Sequence, residues 1–249
     1  MGPNNVPGWS NFPLLNFQIA DRNFTVEGRG PQIGVLSVGD LLFNQVVEFH
    51  FGGSEAGNIS ISEYGAECTA EKLEQAGLER IGQEGHWVQG SNAPDGIFNG
   101  PVVHIGFSSS LEEEADNSIH AFAQFDTGLD DSVWNRTIIV NRPLLEMLQG
   151  LAKPPVPHST AVITDCTGTE RTQQVFLPQG NLRIENQEGH TIREVADYHI
   201  LFQDAAPSCG GISGADGPAA QIGASYLREF GTTVFVGQRK EVWVASAQN

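Results

Sequence analysis

Four consecutive residues, Phe125-Asp126-Thr127-Gly128, hold the plainest chemistry in the sequence. The apolar run Ala121 to Phe125 reads as a strand that delivers an acid into a tight turn. Thr127 can hydrogen-bond its neighbours, and Gly128 lets backbone approach closely. Such a turn can ring a carboxylate with N–H and hydroxyl donors, which fixes its position and its ionisation. A carboxyl held that way serves as general acid, general base or hydrogen-bond donor. An Asp-Thr-Gly triplet alone is a common surface turn, so its surroundings must carry the assignment.

Other chemistry-bearing patterns are sparse. The 7 histidines are scattered, without HExxH or a Cys/His cluster, so neither a metal nor a cofactor is expected. There is no Gly-x-Ser-x-Gly elbow, Walker loop or GxGxxG. The glycine-rich Gly210 to Gly217 lacks the Lys-Ser/Thr of a phosphate loop and reads as a surface turn. Cys68, Cys166 and Cys209 fall in no zinc-type spacing, and the simplest arithmetic is one pair and one free thiol.

The elements that must position Asp126 read as strands. Val46 to Phe51, Val102 to Phe107, His120 to Phe125, Thr160 to Thr164, Asn181 to Glu185, His199 to Phe202, Thr232 to Val236 and Glu241 to Ala245 are short and rich in β-branched or aromatic residues. The 29 glycines and 13 prolines suit turn-dense β architecture. Three helices are predicted, over Thr69 to Ile81, Pro143 to Leu151 and Ala224 to Phe230, with Thr69 as N-cap of the first. Lys153-Pro154-Pro155-Val156-Pro157 reads as a stiff connector. A boundary between two parts is expected between Phe107 and Ser118.

Order and spacing from Ala121 to Ala247 resemble the second lobe of pepsin-like aspartic proteases. After the Asp-Thr-Gly come Arg142-Pro143-Leu144-Leu145, placed like that lobe's helix, and Ala161-Val162-Ile163-Thr164-Asp165-Cys166, like its strand into a disulfide cysteine. Phe176-Leu177-Pro178, Asn181 to Ile184 and Asp197 to Leu201 resemble the strands inside the disulfide loop. Ser208-Cys209-Gly210-Gly211 resembles its closing cysteine. Gln221-Ile222-Gly223 with Ala224 to Phe230, then Thr233-Val234-Phe235 and Val242-Trp243-Val244-Ala245, resemble the closing turn, helix and strands. The resemblance implies an all-β, aspartic-protease-like β-barrel lobe with a few short helices over 118–249, preceded by a shortened, degenerate first lobe over 1–117. It implies that Asp126 is the catalytic-type acid, that Thr127, Gly128, Ile222 and Gly223 support it, and that Cys166 and Cys209 form a disulfide. In the first part, His50 stands in a strand-then-glycine run where an aspartate would be expected. Tyr64, in Ser62-Glu63-Tyr64-Gly65, has the form of a flap tyrosine, and Ala93 to Phe98 resembles the "Asp-Gly-Ile" turn.

Two departures redirect the expected activity. Pepsin-like catalysis needs two aspartates sharing a proton, and no second Asp-Thr/Ser-Gly occurs. After Gly128 the family has Ser or Thr, whereas this chain has Leu129 followed by Asp130 and Asp131. Losing a hydroxyl donor and adding two acids favours the neutral carboxyl, a donor rather than a water-activating base. The expectation is therefore a protease-like scaffold repurposed to bind or transform a hydrophobic or peptide-like small molecule, as a cyclase or isomerase would, with Asp126 as its single acid. An acid endopeptidase completed by a homodimer, or by Glu48 or Asp95, is the alternative. A non-catalytic binding or inhibitor subunit with a protein partner is the other.

Composition bounds these readings. With 30 Asp and Glu against 13 Lys and Arg, the formal net charge of −17 repels nucleic acid and anionic lipid. No run nears the ~20 apolar residues of a membrane span, and the start, Met1-Gly2-Pro3-Asn4, has no signal-peptide pattern. The sequons at Asn23, Asn58 and Asn135 fit a secretory ancestry.

Overall fold

The computed structural model describes residues 17–18, 25–26, 30–31, 35–36, 45–50, 58–63, 65, 68–82, 102–108, 118–125, 136–164, 168–204, 212, 215, 217–239 and 241–245. They are mostly β-sheet. In chain order the strands are β1 (Phe17–Gln18), β2 (Thr25–Val26), β3 (Gly30–Pro31), β4 (Val35–Leu36), β5 (Gln45–His50), β6 (Asn58–Glu63), β7 (Leu78–Gly82), β8 (Val102–Phe107) and β9 (Ile119–Phe125). There follow β10 (Thr137–Val140), β11 (Val156–Thr164), β12 (Glu170–Leu177), β13 (Leu182–Glu185), β14 (Thr191–Val195), β15 (His199–Phe202), β16 (Ala219–Ile222), β17 (Thr232–Val236) and β18 (Glu241–Ala245). Two large sheets dominate, ordered β11-β12-β15-β10-β16-β9-β8-β13-β14 and β6-β5-β17-β18-β7, beside the small pairs β1-β4 and β2-β3. Among the described residues neither large sheet closes on itself, so the all-β class is observed without a closed barrel. No helix among them is long and apolar enough to cross a membrane.

Burial follows strand position. β10 reads Thr-Ile-Ile-Val and is buried at all four residues, because it lies near the middle of the nine-stranded sheet with cover on both faces. Such a strand needs an unbroken apolar run instead of alternation. One face contributes Ile138 and Val140 to the main core with Phe125, Leu144, Ile222 and Phe235. The other contributes Ile139 to a smaller cluster with Val175, Leu201 and Ile212. The five-stranded sheet is likewise covered twice. Val47, Phe49 and Val244 join the main core, while Val46, Val234 and Trp243 pack with Leu73 of the helix Ala70–Gln75. Buried Glu241 accepts from Trp243 Nε1 at 2.8 Å and pairs with Arg239 at 2.7 Å, so its charge is compensated inside the sheet.

Local departures from the sequence reading have definite causes. The helix expected over Thr69 to Ile81 covers only Ala70–Gln75. Thr69 caps it, its Oγ1 accepting from the Lys72 N–H at 3.4 Å. Gly77 at φ +79° turns the chain away, and Leu78 to Gly82 become β7, paired with β18. The second helix runs Arg142–Gln149, not Pro143 to Leu151. The connector read at Lys153 to Pro157 ends early, since β11 begins at Val156. Pro157 is tolerated because β11 is an edge strand, and the register shifts between Pro157 and Ser159. The expected boundary at 117/118 falls between β8 and β9, which pair from Val102–Gln124 to Phe107–Ile119.

Asn141 ties several of these parts together. It caps the helix Arg142–Gln149, its Oδ1 accepting from the Leu144 N–H at 3.2 Å and from the Ala219 N–H at 3.0 Å. Its Nδ2 donates to the carbonyls of Ile212 at 3.2 Å and Gly217 at 2.8 Å. At 3 % exposure, every one of these bonds shields a group from an unsatisfied burial. Asn141→Ala is expected to lower unfolding stability by about 2–4 kcal/mol, combining a lost cap with stranded buried groups. Urea denaturation followed by far-UV circular dichroism measures this; a loss under about 0.5 kcal/mol would contradict it.

Candidate functional site

β9 runs through the main core and ends at Phe125, 2 % exposed. Its neighbour is β16, parallel to it, with Phe125 opposite Ile222 and Gln124 opposite Gln221. On its other side β16 runs antiparallel to β10, with Ile222 opposite Ile138. Thus β9 and β10, consecutive in the chain, do not pair with each other; β16 is threaded between them. The segment linking β9 to β10 carries Asp126-Thr127-Gly128, which lies outside the described residues, as do Tyr64, Cys166 and Cys209.

Both ends of that linking segment are anchored. Upstream, the Phe125 ring meets Phe235 edge-on at 5.5 Å and Phe230 at 6.2 Å, and Phe235 meets Phe49 edge-on at 5.7 Å. Edge-to-face rings gain about 0.5–1.5 kcal/mol beyond their burial, so the last residue before Asp126 is held by both sheets and the helix Ala224–Phe230. Downstream stands Arg136, the described non-glycine residue with a left-handed backbone, φ 54°. Its guanidinium pairs with Glu229 at 2.7 Å and Asp197 at 3.6 Å and donates from Nε to the Asp197 carbonyl at 2.9 Å. Its own carbonyl accepts from the Tyr226 hydroxyl at 3.4 Å and the His199 N–H at 3.3 Å. These contacts hold a backbone conformation that costs an L-residue about 1–2 kcal/mol.

Of the residues marked out in the sequence, Ile222 and Gly223 come to the end of β9. Ile222 is fully buried between Phe125 and Ile138, and Gly223 is the buried N-cap residue of the helix Ala224–Phe230. His50 stands on the other sheet, at the end of β5 opposite Thr232. Its Nδ1 lies 3.2 Å from Thr232 Oγ1 and its Nε2 lies 2.9 Å from Glu48 Oε1, with the ring half-exposed. Its chain neighbour Phe49 meets Phe235, which in turn meets Phe125. Two acids described near the anchored segment, Glu229 and Asp197, are both engaged by Arg136. Cys68 carries a free thiol.

Arg136 and Asn141 escaped the sequence reading, although Asn141-Arg142-Pro143 carries a helix-start signature, a capping Asn followed by proline in the first turn. Nothing local marks Arg136, whose partners lie 61 and 93 residues away. A small cavity of about 10 Å³ between the helix Arg142–Gln149 and Tyr198, lined also by Phe107 and Ile200, has room for one water at most. Burial there pushes the Tyr198 phenol well above its ordinary range. Among the described residues no group of three or more His, Cys, Asp or Glu could hold a metal ion. No protein family, curated protein or solved structure matches the chain.

Arg136→Ala is expected to lower stability by about 1–2 kcal/mol through its lost charged hydrogen bonds. Arg136→Gly should lose about 1 kcal/mol less, because glycine takes the left-handed backbone freely. Parallel thermal melts check the order; an alanine variant at least as stable as the glycine one would refute it.

Proposed function

We propose that this chain is a protease-like scaffold that presents one acid, Asp126, to bind or transform a hydrophobic or peptide-like small molecule. The observation that carries the reading is the threaded strand: β16 lies parallel to β9 with Ile222 opposite Phe125. That pairing brings the Ile222-Gly223 pair to the point where the chain enters Asp126-Thr127-Gly128. It supports the pepsin-like resemblance through topology, which is independent of the motif's letters. The anchors at Phe125 and Arg136 support it further. A catalytic acid must be held by residues whose own positions are locked, and both flanks of the motif meet that need.

The lack of a second Asp-Thr/Ser-Gly favours binding or single-acid chemistry over peptide hydrolysis. One carboxyl can donate a hydrogen bond to a carbonyl or hydroxyl and polarise it. In the pepsin-like mechanism, activating water and protonating the leaving group are divided between two carboxyls that share a proton. Cys166 and Cys209 belong to the same reading as a disulfide. Thiol titration of the denatured, unreduced chain is then expected to find one thiol, Cys68. Three would remove the pairing.

The direct test uses a statine-type peptide, whose hydroxyl presents itself to an acid-protease carboxyl. Calorimetry is expected to show binding that Asp126→Asn weakens about 10- to 100-fold, the range for a hydrogen bond to a charged or acidic group. Denatured casein at acid pH is expected to stay intact. Cleavage abolished by Asp126→Asn would instead establish a peptidase, and binding indifferent to the substitution would remove Asp126 from the site.

A further inference from the structure

The outward face of the nine-stranded sheet carries a second constellation, at the opposite end of β9 from Asp126. Ser118 and His120 are two residues apart, on one side of the extended chain. Ser118 Oγ lies 3.1 Å from His120 Nε2, and His120 Nδ1 lies 2.8 Å from Glu185 Oε2. Both distances are ordinary hydrogen bonds. The order is hydroxyl, imidazole, carboxylate, the arrangement by which a base activates a nucleophile and is itself oriented by an acid. We propose that Ser118, His120 and Glu185 form a nucleophilic relay that acylates Ser118 from small carboxylic esters.

The relay is built, not incidental to a charged surface. Glu185 stands on β13, two strands from β9, with β8 between them. On β8, Gly106 pairs with His120 on one side and Arg183 on the other. A Cβ at position 106 would overlap Glu185 Oε1. Glycine in a central strand costs stability; here its missing side chain is the passage through which the carboxylate crosses β8 to reach His120. Glu185 is 3 % exposed while the His120 side chain is 54 % exposed, so the acid is sealed and the base is open to solvent. Arg183 Nε, 3.5 Å from Glu185 Oε1, offsets the buried charge. A carboxylate at Nδ1 requires the proton there, which leaves the Nε2 lone pair facing the Ser118 hydroxyl. Phe122, next on the same side of β9 and 44 % exposed, stacks edge-on against His104 at 4.8 Å and offers an apolar ledge for an acyl group.

The step balances with water as the only co-reactant. Ser118 Oγ attacks the ester carbonyl while its proton passes to His120 Nε2. The carbon–oxygen bond to the alcohol breaks, and the alcohol leaves with that proton. Water, deprotonated by the same nitrogen, then releases the acid and restores the hydroxyl. Glu185 orients the ring and stabilises the imidazolium; it is a positioning residue, not a proton acceptor.

The test is p-nitrophenyl acetate with the full chain, read by nitrophenol release and by mass spectrometry of the peptide carrying Ser118. One acetyl group on Ser118 is expected, with release faster than in Ser118→Ala by about 10²–10⁴-fold, the range of general-base catalysis. His120→Ala should lose acylation and regain it with added imidazole, a rescue that a merely structural histidine would not show. Glu185→Gln should slow acylation while Ser118→Ala, at the surface, leaves the melting temperature unchanged. No acetyl on Ser118 of the unmodified chain, or an undiminished rate in His120→Ala, would overturn the relay and leave His120–Glu185 as a structural ion pair.

Discussion

Burying a strand in mid-sheet requires that every N–H and C=O on both of its edges find a partner. β16 meets that demand in four residues by lying parallel to β9 on one side and antiparallel to β10 on the other. The arrangement holds β9 and β10 apart by the width of one strand, so two strands consecutive in the chain do not pair. Asn141 supplies the polar satisfaction that lets β16 start where it does, accepting from the Ala219 N–H in the interior. Aromatic rings at Phe125, Phe230 and Phe235 then tie the end of β9, beside β16, to the five-stranded sheet. The end of β9 and the main core shared by the two sheets meet at this insertion.

Much of the β content was legible because the relevant strands are short and β-branched. β8, β15, β17 and β18 fall at the residues their patterns predict. Their pairing was not legible, since it depends on partners far away in the chain: β5 lies against β17, and no local pattern encodes that. Leu78 and Ile81 continue an apolar period that suits a helix as well as a strand, so the sequence pattern runs past the helix end. Gly77, at positive φ, decides between the two. Pro157 reads as a breaker in the sequence, and its place on the edge strand β11 is what makes it acceptable there.

The candidate sites divide along the same line. Asp126-Thr127-Gly128 announces itself, since its chemistry and its backbone demand sit in adjacent residues. The pairing of Ser118, His120 and Glu185 is invisible in the sequence: the acid is 65 residues from the base, and polar residues on alternate positions of a strand look like an ordinary wetted face. Gly106 was the available hint, a glycine within an otherwise bulky strand. Its meaning depends on which carboxylate passes over it, a fact of register between β8 and β13.

The five-stranded sheet also carries a consequence for biosynthesis. His50 on β5 and Thr232 on β17 are 182 residues apart, and β5 is flanked by β6 and β17 alone. During translation at about 5–20 residues per second, β5 waits roughly 9–36 s with one edge unmatched. Val46, Val47 and Phe49 then have none of the cover that Phe235 and its neighbours later provide. A nascent chain in that state presents a sticky ribbon to any other extended segment nearby. Its yield in a cell will therefore depend on chaperone supply and on slow, cool expression more than on the strength of the finished core.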